Sequence, residues 1–198
     1  MSPQSIPLPI TAEEFLAAGD DGRKADLIDG SIYPAPFDEP SEDRRAFLVR
    51  TLVQRFADLN RLGETYGSCV PFVFSRYCCL EPDISFVTTE RLGMMDEVCG
   101  RGAPDLVIEF VTSQTSILDY ARKRVLYEEA GVREYWIIDP LERRCLFLRL
   151  MDGQFTEVPL DDEQIFHSEV LSGFRLDVKR LFTEPLPLPT AYLVCDQD

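Results

Sequence analysis

Glu81-Pro82-Asp83-Ile84-Ser85-Phe86-Val87 and, after a polar interval, Gly102-Ala103-Pro104-Asp105-Leu106-Val107-Ile108-Glu109-Phe110-Val111 are the stretches whose reading decides the fold. A segment holding Lys123 and Tyr127 follows, and then Glu134-Tyr135-Trp136-Ile137-Ile138-Asp139-Pro140. Short apolar runs interrupted by single acids, an amphipathic segment and a third apolar run predict strand, strand, helix, strand. Alternation within residues 104–112 puts Asp105, Val107, Glu109 and Val111 on one face of a strand and Leu106, Ile108 and Phe110 on the other. Asp83 and Glu109 are the acids of interest. An acid inside an apolar strand must be hydrogen-bonded, paired or coordinated to a cation. These two lie 26 positions apart, so only strand pairing can join them.

Upstream, Thr11-Ala12-Glu13-Glu14 has the form of a capping box opening a short helix that Gly19 ends. Lys24 to Tyr33, with apolar pairs around Asp29-Gly30, reads as a hairpin that prolines 34, 36 and 40 terminate. Ser41 is expected to cap a helix reaching about Leu62, with Phe47, Leu48, Leu52, Val53, Phe56 and Leu59 at helical spacing and Gly63 as its stop. Residues 64–75 and 77–88 read as two strands, and 88–102 as a polar connection with one helical turn, the best candidate for a mobile loop. The helix over 117–130 is expected to turn Ile117, Leu118, Ala121 and Val125 inward, to pair Asp119 with Lys123 on a flank, and to end at Gly131.

Beyond Pro140, two strands around Met151-Asp152-Gly153 form a second hairpin. Val170 to Leu176 suggests an edge strand and Val178 to Phe182 a short helix. Residues 1–10 and 183–198 read as an arm and a tail on a single domain spanning 1–198.

Composition narrows the function classes. A chain of 198 residues with 45% hydrophobic content can bury a core without staples. No apolar run approaches a membrane span and the N-terminus has no signal-peptide pattern, so a cytoplasmic protein is expected. Cysteines 69, 78, 79, 99, 145 and 195 form no Cys-x-x-Cys and His167 is the only histidine, which speaks against zinc and for free thiols. Cys78 and Cys79 point to opposite faces of one strand. A net charge of −15 disfavours non-specific adhesion to nucleic acid.

Five segments taken together resemble the Uma-two family of restriction-endonuclease-like proteins, a branch of the PD-(D/E)XK nuclease superfamily. They are Thr11-Ala12-Glu13-Glu14-Phe15, Asp26-Leu27-Ile28-Asp29-Gly30, Glu81-Pro82-Asp83, Ala103 to Glu109, and Gly131 to Pro140. The resemblance implies an α/β (α+β) fold, a restriction-endonuclease-like mixed β-sheet flanked by helices. It also implies a metal-dependent endonuclease hydrolysing DNA phosphodiester bonds. Carried over by position, Asp83 and Glu109 are the metal ligands, and Lys123 serves the attacking water in place of the lysine that Val111 replaces. Asp26 is an accessory acid. The chain departs from the family at Asp26 and Ser31, where glutamates are usual, and near Arg44 or Arg45, where a histidine is usual. By analogy with restriction-type nucleases, a homodimer is expected.

Two carboxylates suit Mg²⁺ or Mn²⁺, which take hard oxygen ligands. A lysine buried beside such a site can lose proton affinity and deprotonate a water, or simply position it. Each residue also has a structural reading. Asp83 can merely begin a strand, Lys123 can pair only with Asp119, and Glu109 can partner an arginine. Asp105 repeats the Pro-Asp dipeptide, but sits on Glu109's own strand, about 13 Å away at roughly 3.3 Å per residue. Arg122, Lys123 and Arg124 form a basic cluster suited to a phosphate backbone or to a solvated helix surface. The rival to the nuclease is a catalytically inactive domain of the same fold that binds protein. The acidic charge and Val111 favour it.

Overall fold

The computed structural model describes residues 8–18, 23–35 and 40–192. The expectations for Gly19, Pro36, Cys195 and the outermost termini fall outside these residues.

Thr11 caps α1 (Ala12–Ala17): its hydroxyl accepts from the Glu14 N–H and the Glu14 carboxylate accepts from the Thr11 N–H, the reciprocal pair that the spacing predicts. The hairpin of β1 (Ala25–Ile28) and β2 (Ser31–Pro34) turns at Asp29 and Gly30, both with positive φ. At Gly30 a Cβ would also collide with Pro9, so glycine is required there twice over. α2 spans Pro40–Asn60. Pro40 opens it, as suits a residue with fixed φ and no N–H. Leu48, Val49, Leu52, Val53 and Ala57 form its buried face; Phe47 and Leu59, expected inside, are exposed. Each fully buried aliphatic side chain there contributes about 1.5–3 kcal/mol.

The two strands expected over 64–88 each break in two. β3 (Gly63–Gly67) pairs with β6 (Ile84–Thr88), whereas β4 (Phe72–Ser75) and β5 (Cys78–Leu80) leave for a second sheet. The polar connection carries a 3₁₀ helix, Thr89–Met94, and the short β7 (Gly100–Arg101). β8 (Leu106–Phe110) leads to a helical segment over 116–130, comprising a π-helical stretch Leu118–Lys123 and then α3 (Arg124–Ala130). Gly131 ends it with φ +84°. β9 (Glu134–Asp139), β10 (Arg144–Met151) and β11 (Gln154–Glu157) follow, the last two joined at Asp152-Gly153. The edge strand expected over 170–176 is instead a pair of β12 (Ile165–His167) and β13 (Arg175–Asp177), and α4 covers Val178–Leu181.

The six-stranded sheet has the order β11-β10-β9-β8-β6-β3 and is antiparallel except for β8 and β9. The five-stranded sheet is β2-β1-β5-β4-β7. One face of the large sheet (Leu106, Ile108, Trp136, Ile138) packs on α2 and on Phe166 to Phe182. The other (Val107, Val111, Tyr135, Ile137) packs on Tyr127, Leu80 and Ile28. Both faces of β8 and β9 are therefore covered, which is why these strands read as nearly continuous apolar runs. The mixed α/β architecture, with mixed sheets flanked by helices, is the expected one. Cys78 and Cys79 do point apart, into different apolar clusters. Among the described residues the cysteines are free thiols, and no helix is long and apolar enough to cross a membrane.

Candidate active site

Strand register brings the two acids together. Ile84 pairs with Ile108 in the antiparallel β6–β8 ladder, so Asp83, one residue before β6, falls opposite Glu109. The Phe110 N–H donates to Asp83 Oδ2 at 2.7 Å and fixes that carboxylate at the end of β8. Asp26 arrives from the second sheet. β1 lies beside β5 at Leu27 and Cys79, and Asp26 Oδ1 accepts from the Glu81 N–H at 2.9 Å.

The helical segment 116–130 delivers the remaining groups, with a different face inward from the one the apolar pattern predicts. Ile117 is 84% exposed and Val125 49%, while Asp119, Lys123 and Tyr127 are buried. Four residues of α-helix overshoot a full turn by about 40°. The π-helical stretch winds more residues per turn and offsets that drift, so residues 119, 123 and 127 line up on one side. Lys123 Nζ lies 2.9 Å from Glu109 Oε1, 3.0 Å from Asp26 Oδ2 and 3.6 Å from Asp119 Oδ1. The Tyr127 hydroxyl donates to Glu109 Oε1 at 2.6 Å.

On its other side Glu109 meets a lysine that the sequence reading did not single out. Lys24 Nζ forms an ion pair with Asp83 Oδ1 and lies 3.4 Å from Glu109 Oε2. The sequence did hold a signal for it. Only three of the twenty basic residues are lysines, at 24, 123 and 179, and two of these sit in this acidic cluster. The cluster lines a cleft of about 1580 Å³, with Ile32, Tyr33 and Ile117 among its other walls.

The charges follow from burial and neighbours. Burial disfavours the Glu109 carboxylate, but the ammoniums of Lys123 and Lys24 and the Tyr127 hydroxyl outweigh it and bring the pKa down to about 2. Asp83 is pushed up, burial outweighing Lys24. Burial and the nearby Glu109 charge raise Asp119 to about 7. Neither of its oxygens meets hydrogen-bond geometry, although the Thr115 side chain lies close enough to favour the charged form slightly. Burial opposes the Lys123 charge, but Glu109, Asp26 and Asp119 hold its pKa well above the ordinary value. In the metal-free chain these carboxylates therefore oppose the loss of proton affinity that burial alone would cause.

The remaining candidates lie elsewhere. Asp105 is buried and engaged by Thr88 and Arg91. Exposed His167 pairs with Asp161, and Tyr135 and Trp136 are buried in the sheet. The basic cluster at 122–124 does not form one surface, because Lys123 is buried and Arg122 pairs with Asp29.

The donor set can be tested against a divalent cation. Among the described residues no three His, Cys, Asp or Glu side chains are grouped to hold a metal, so the chain would supply two carboxylates and water the rest. That suits Mg²⁺, which keeps several waters. The Lys24 ammonium, a positive charge that both carboxylates already face, stands in for such an ion. The residues fit.

A mixed sheet carries paired acids at the junction of two strands, with lysines on both sides. The family model described as "Uma2: Putative restriction endonuclease" matches residues 12–179, and the chain belongs to that family. Among solved structures, it resembles one described as a "putative nuclease belonging to DUF820 from Anabaena variabilis ATCC 29413". The TM-score is 0.74 at 19% identity, over 88% of this chain and 98% of the other, a likeness of fold. No curated protein matches.

Proposed function

We propose that this chain is a metal-dependent endonuclease that hydrolyses DNA phosphodiester bonds, with Asp83 and Glu109 as the ligands of a Mg²⁺ or Mn²⁺ ion. The observation that carries the reading is that Asp83 Oδ1 and Glu109 Oε2 face one positive charge while Lys123 and Tyr127 occupy the other Glu109 oxygen. A divalent ion held there would offset charge growing on the phosphate and lower the pKa of a bound water. The chain's own groups do the positioning. The Phe110 N–H orients Asp83, and Lys123 with Tyr127 orients Glu109 so that Oε2 remains for the cleft. One Lys123 N–H donates to Glu109 Oε1, while Asp26 Oδ2 at 3.0 Å and Asp119 Oδ1 at 3.6 Å meet the ammonium as ion pairs, so an N–H can turn to a water. Asp26 is an accessory acid that keeps Lys123 charged and in place. Pairing of two copies and a cytoplasmic location accompany this reading.

The alternative is an inactive nuclease-fold domain that binds protein. It draws on the net charge of −15 and on the lysine already seated between the acids. Cleavage of single- and double-stranded DNA with Mg²⁺ or Mn²⁺ separates the two. The wild type should cut only with the metal, with weak, steeply salt-dependent binding, and Glu109→Gln should fall to background. Equal activity in both proteins would mean that Glu109 is not a ligand. No cleavage and no metal affinity in the wild type would favour the interaction domain.

A further inference from the structure

We propose that Lys24 is a tethered occupant of the divalent-cation position, so that a metal ion enters only as the Lys24 ammonium withdraws. This rests on Asp83 and Glu109 being the metal ligands. A Mg²⁺ bound to both acids would sit about 2.0–2.1 Å from an oxygen of each. The Lys24 ammonium, ion-paired to Asp83 Oδ1 and 3.4 Å from Glu109 Oε2, fills that space. Two positive charges so close repel one another in a site only partly open to water. One must leave.

The two lysines of the cluster differ in how readily they can do so. The Lys123 side chain is 3% exposed and contacts three carboxylates, including Asp119 on its own helix. The Lys24 side chain is 15% exposed, stands just before β1 on the wall of the cleft, and is held by Asp83 and Glu109. A lysine suits this role. It is a compact point charge on a flexible stem, whereas an arginine would lock two carboxylates through a rigid fork. Exchange is also electrically tolerable. Even with Asp119 protonated, Asp26, Asp83 and Glu109 outnumber the two ammoniums, so replacing one charge of +1 by +2 reduces the imbalance. In the metal-free chain the lysine keeps the two acids from repelling one another, and apparent metal affinity is reduced by the fraction of molecules in which it is seated.

The test is a Mn²⁺ titration followed by the electron paramagnetic resonance signal of free Mn²⁺, using wild type, Lys24→Met and Asp83→Asn. If Lys24 is seated in about 90–99% of molecules, Lys24→Met should bind Mn²⁺ about ten- to a hundredfold more tightly than wild type. Asp83→Asn should lose the site. Equal or weaker binding by Lys24→Met, with the wild type still binding, overturns the proposal and leaves the metal reading standing. Binding by neither overturns both. Should Lys24→Met not fold, ¹⁵Nζ spectra of lysine-labelled wild type decide it, because the chain has only three lysines. Saturating Mg²⁺ should move one shielded ammonium signal to the shift and exchange rate of exposed Lys179. A metal-bound protein with both shielded signals unchanged would refute displacement.

Discussion

Strand β8 and the residue before it carry two buried carboxylates with opposite surroundings. Asp105 accepts from the Thr88 N–H at 2.8 Å, the Thr88 hydroxyl at 3.0 Å and Arg91 at 2.9 Å, with Arg133 at 3.4 Å. Burial works against its charge, yet these donors hold its pKa below the usual value. Glu134, at the start of β9, accepts hydrogen bonds from Trp136, Ser168 and the Glu169 N–H and pairs with Arg149. Glu109 instead meets two lysines and a tyrosine, and crowds with Asp26, Asp83 and Asp119 at a cleft. Backbone amides and arginines close an acid into the framework. Point-charge ammoniums on flexible stems, shared among competing acids, leave a carboxylate less rigidly committed to one partner. The difference separates a structural carboxylate from a candidate ligand more sharply than burial does, since all three are buried.

Paired substitutions give the strongest test of that contrast. Asp105→Ala leaves the Thr88 N–H without its acceptor and releases the partly exposed Arg91, and should cost about 1–3 kcal/mol of stability, as expected when a hydrogen-bonding group loses its partner. Glu109→Gln keeps an oxygen for Lys123 and Tyr127, so its chemical denaturation midpoint should fall less while Mn²⁺ binding is lost. A larger stability loss for Glu109→Gln than for Asp105→Ala would reverse the assignment.

Asp119 offers a subtler test, because it belongs to the crowded set. Its pKa stands near 7 in the folded chain, above the ordinary 3.8. Between these values the folded state holds a proton that the unfolded state has released. The contribution to stability is therefore fully present below about pH 4 and is lost as pH rises toward 7. Asp119→Asn cannot titrate. From pH 5 to pH 8 the wild type should lose on the order of a few kcal/mol that the variant keeps. Parallel urea midpoints for the two proteins would show that crowding does not reach Asp119.

The parts legible in the sequence are those set by local chemistry. The capping box at Thr11, the Asp29-Gly30 and Asp152-Gly153 turns, the stop at Gly131 and the alternation in β8 each depend on a few neighbouring residues. The pairing of Asp83 with Glu109 is expected from the family resemblance, while the register that produces it is visible only in the folded chain. The helical segment after β8 departs from the α-period with apolar groups inward that its sequence suggests. A π-helical stretch and a buried polar line obey neither expectation. The departure of β4 and β5 to a second sheet is a tertiary choice that apolar runs do not encode. Lys24 was missed because it precedes a strand and belongs to no motif. Only the scarcity of lysine marks it.

The smallest expected effect lies at the cleft mouth, where Arg122 pairs with Asp29 of the β1–β2 turn. Both side chains are more than half exposed, so water already screens the pair, and losing it should change stability by less than about 1 kcal/mol. Arg122→Ala thus gives the solvent-exposed limit for the buried pairs around Glu109 and Asp105. It also tests whether Arg122 meets nucleic acid. If the guanidinium leaves Asp29 for a phosphate, the slope of log affinity against log salt should fall by about 1 in the variant. An unchanged slope would mean that Arg122 stays with Asp29. Phosphate contact would then have to come from other basic groups around the cleft.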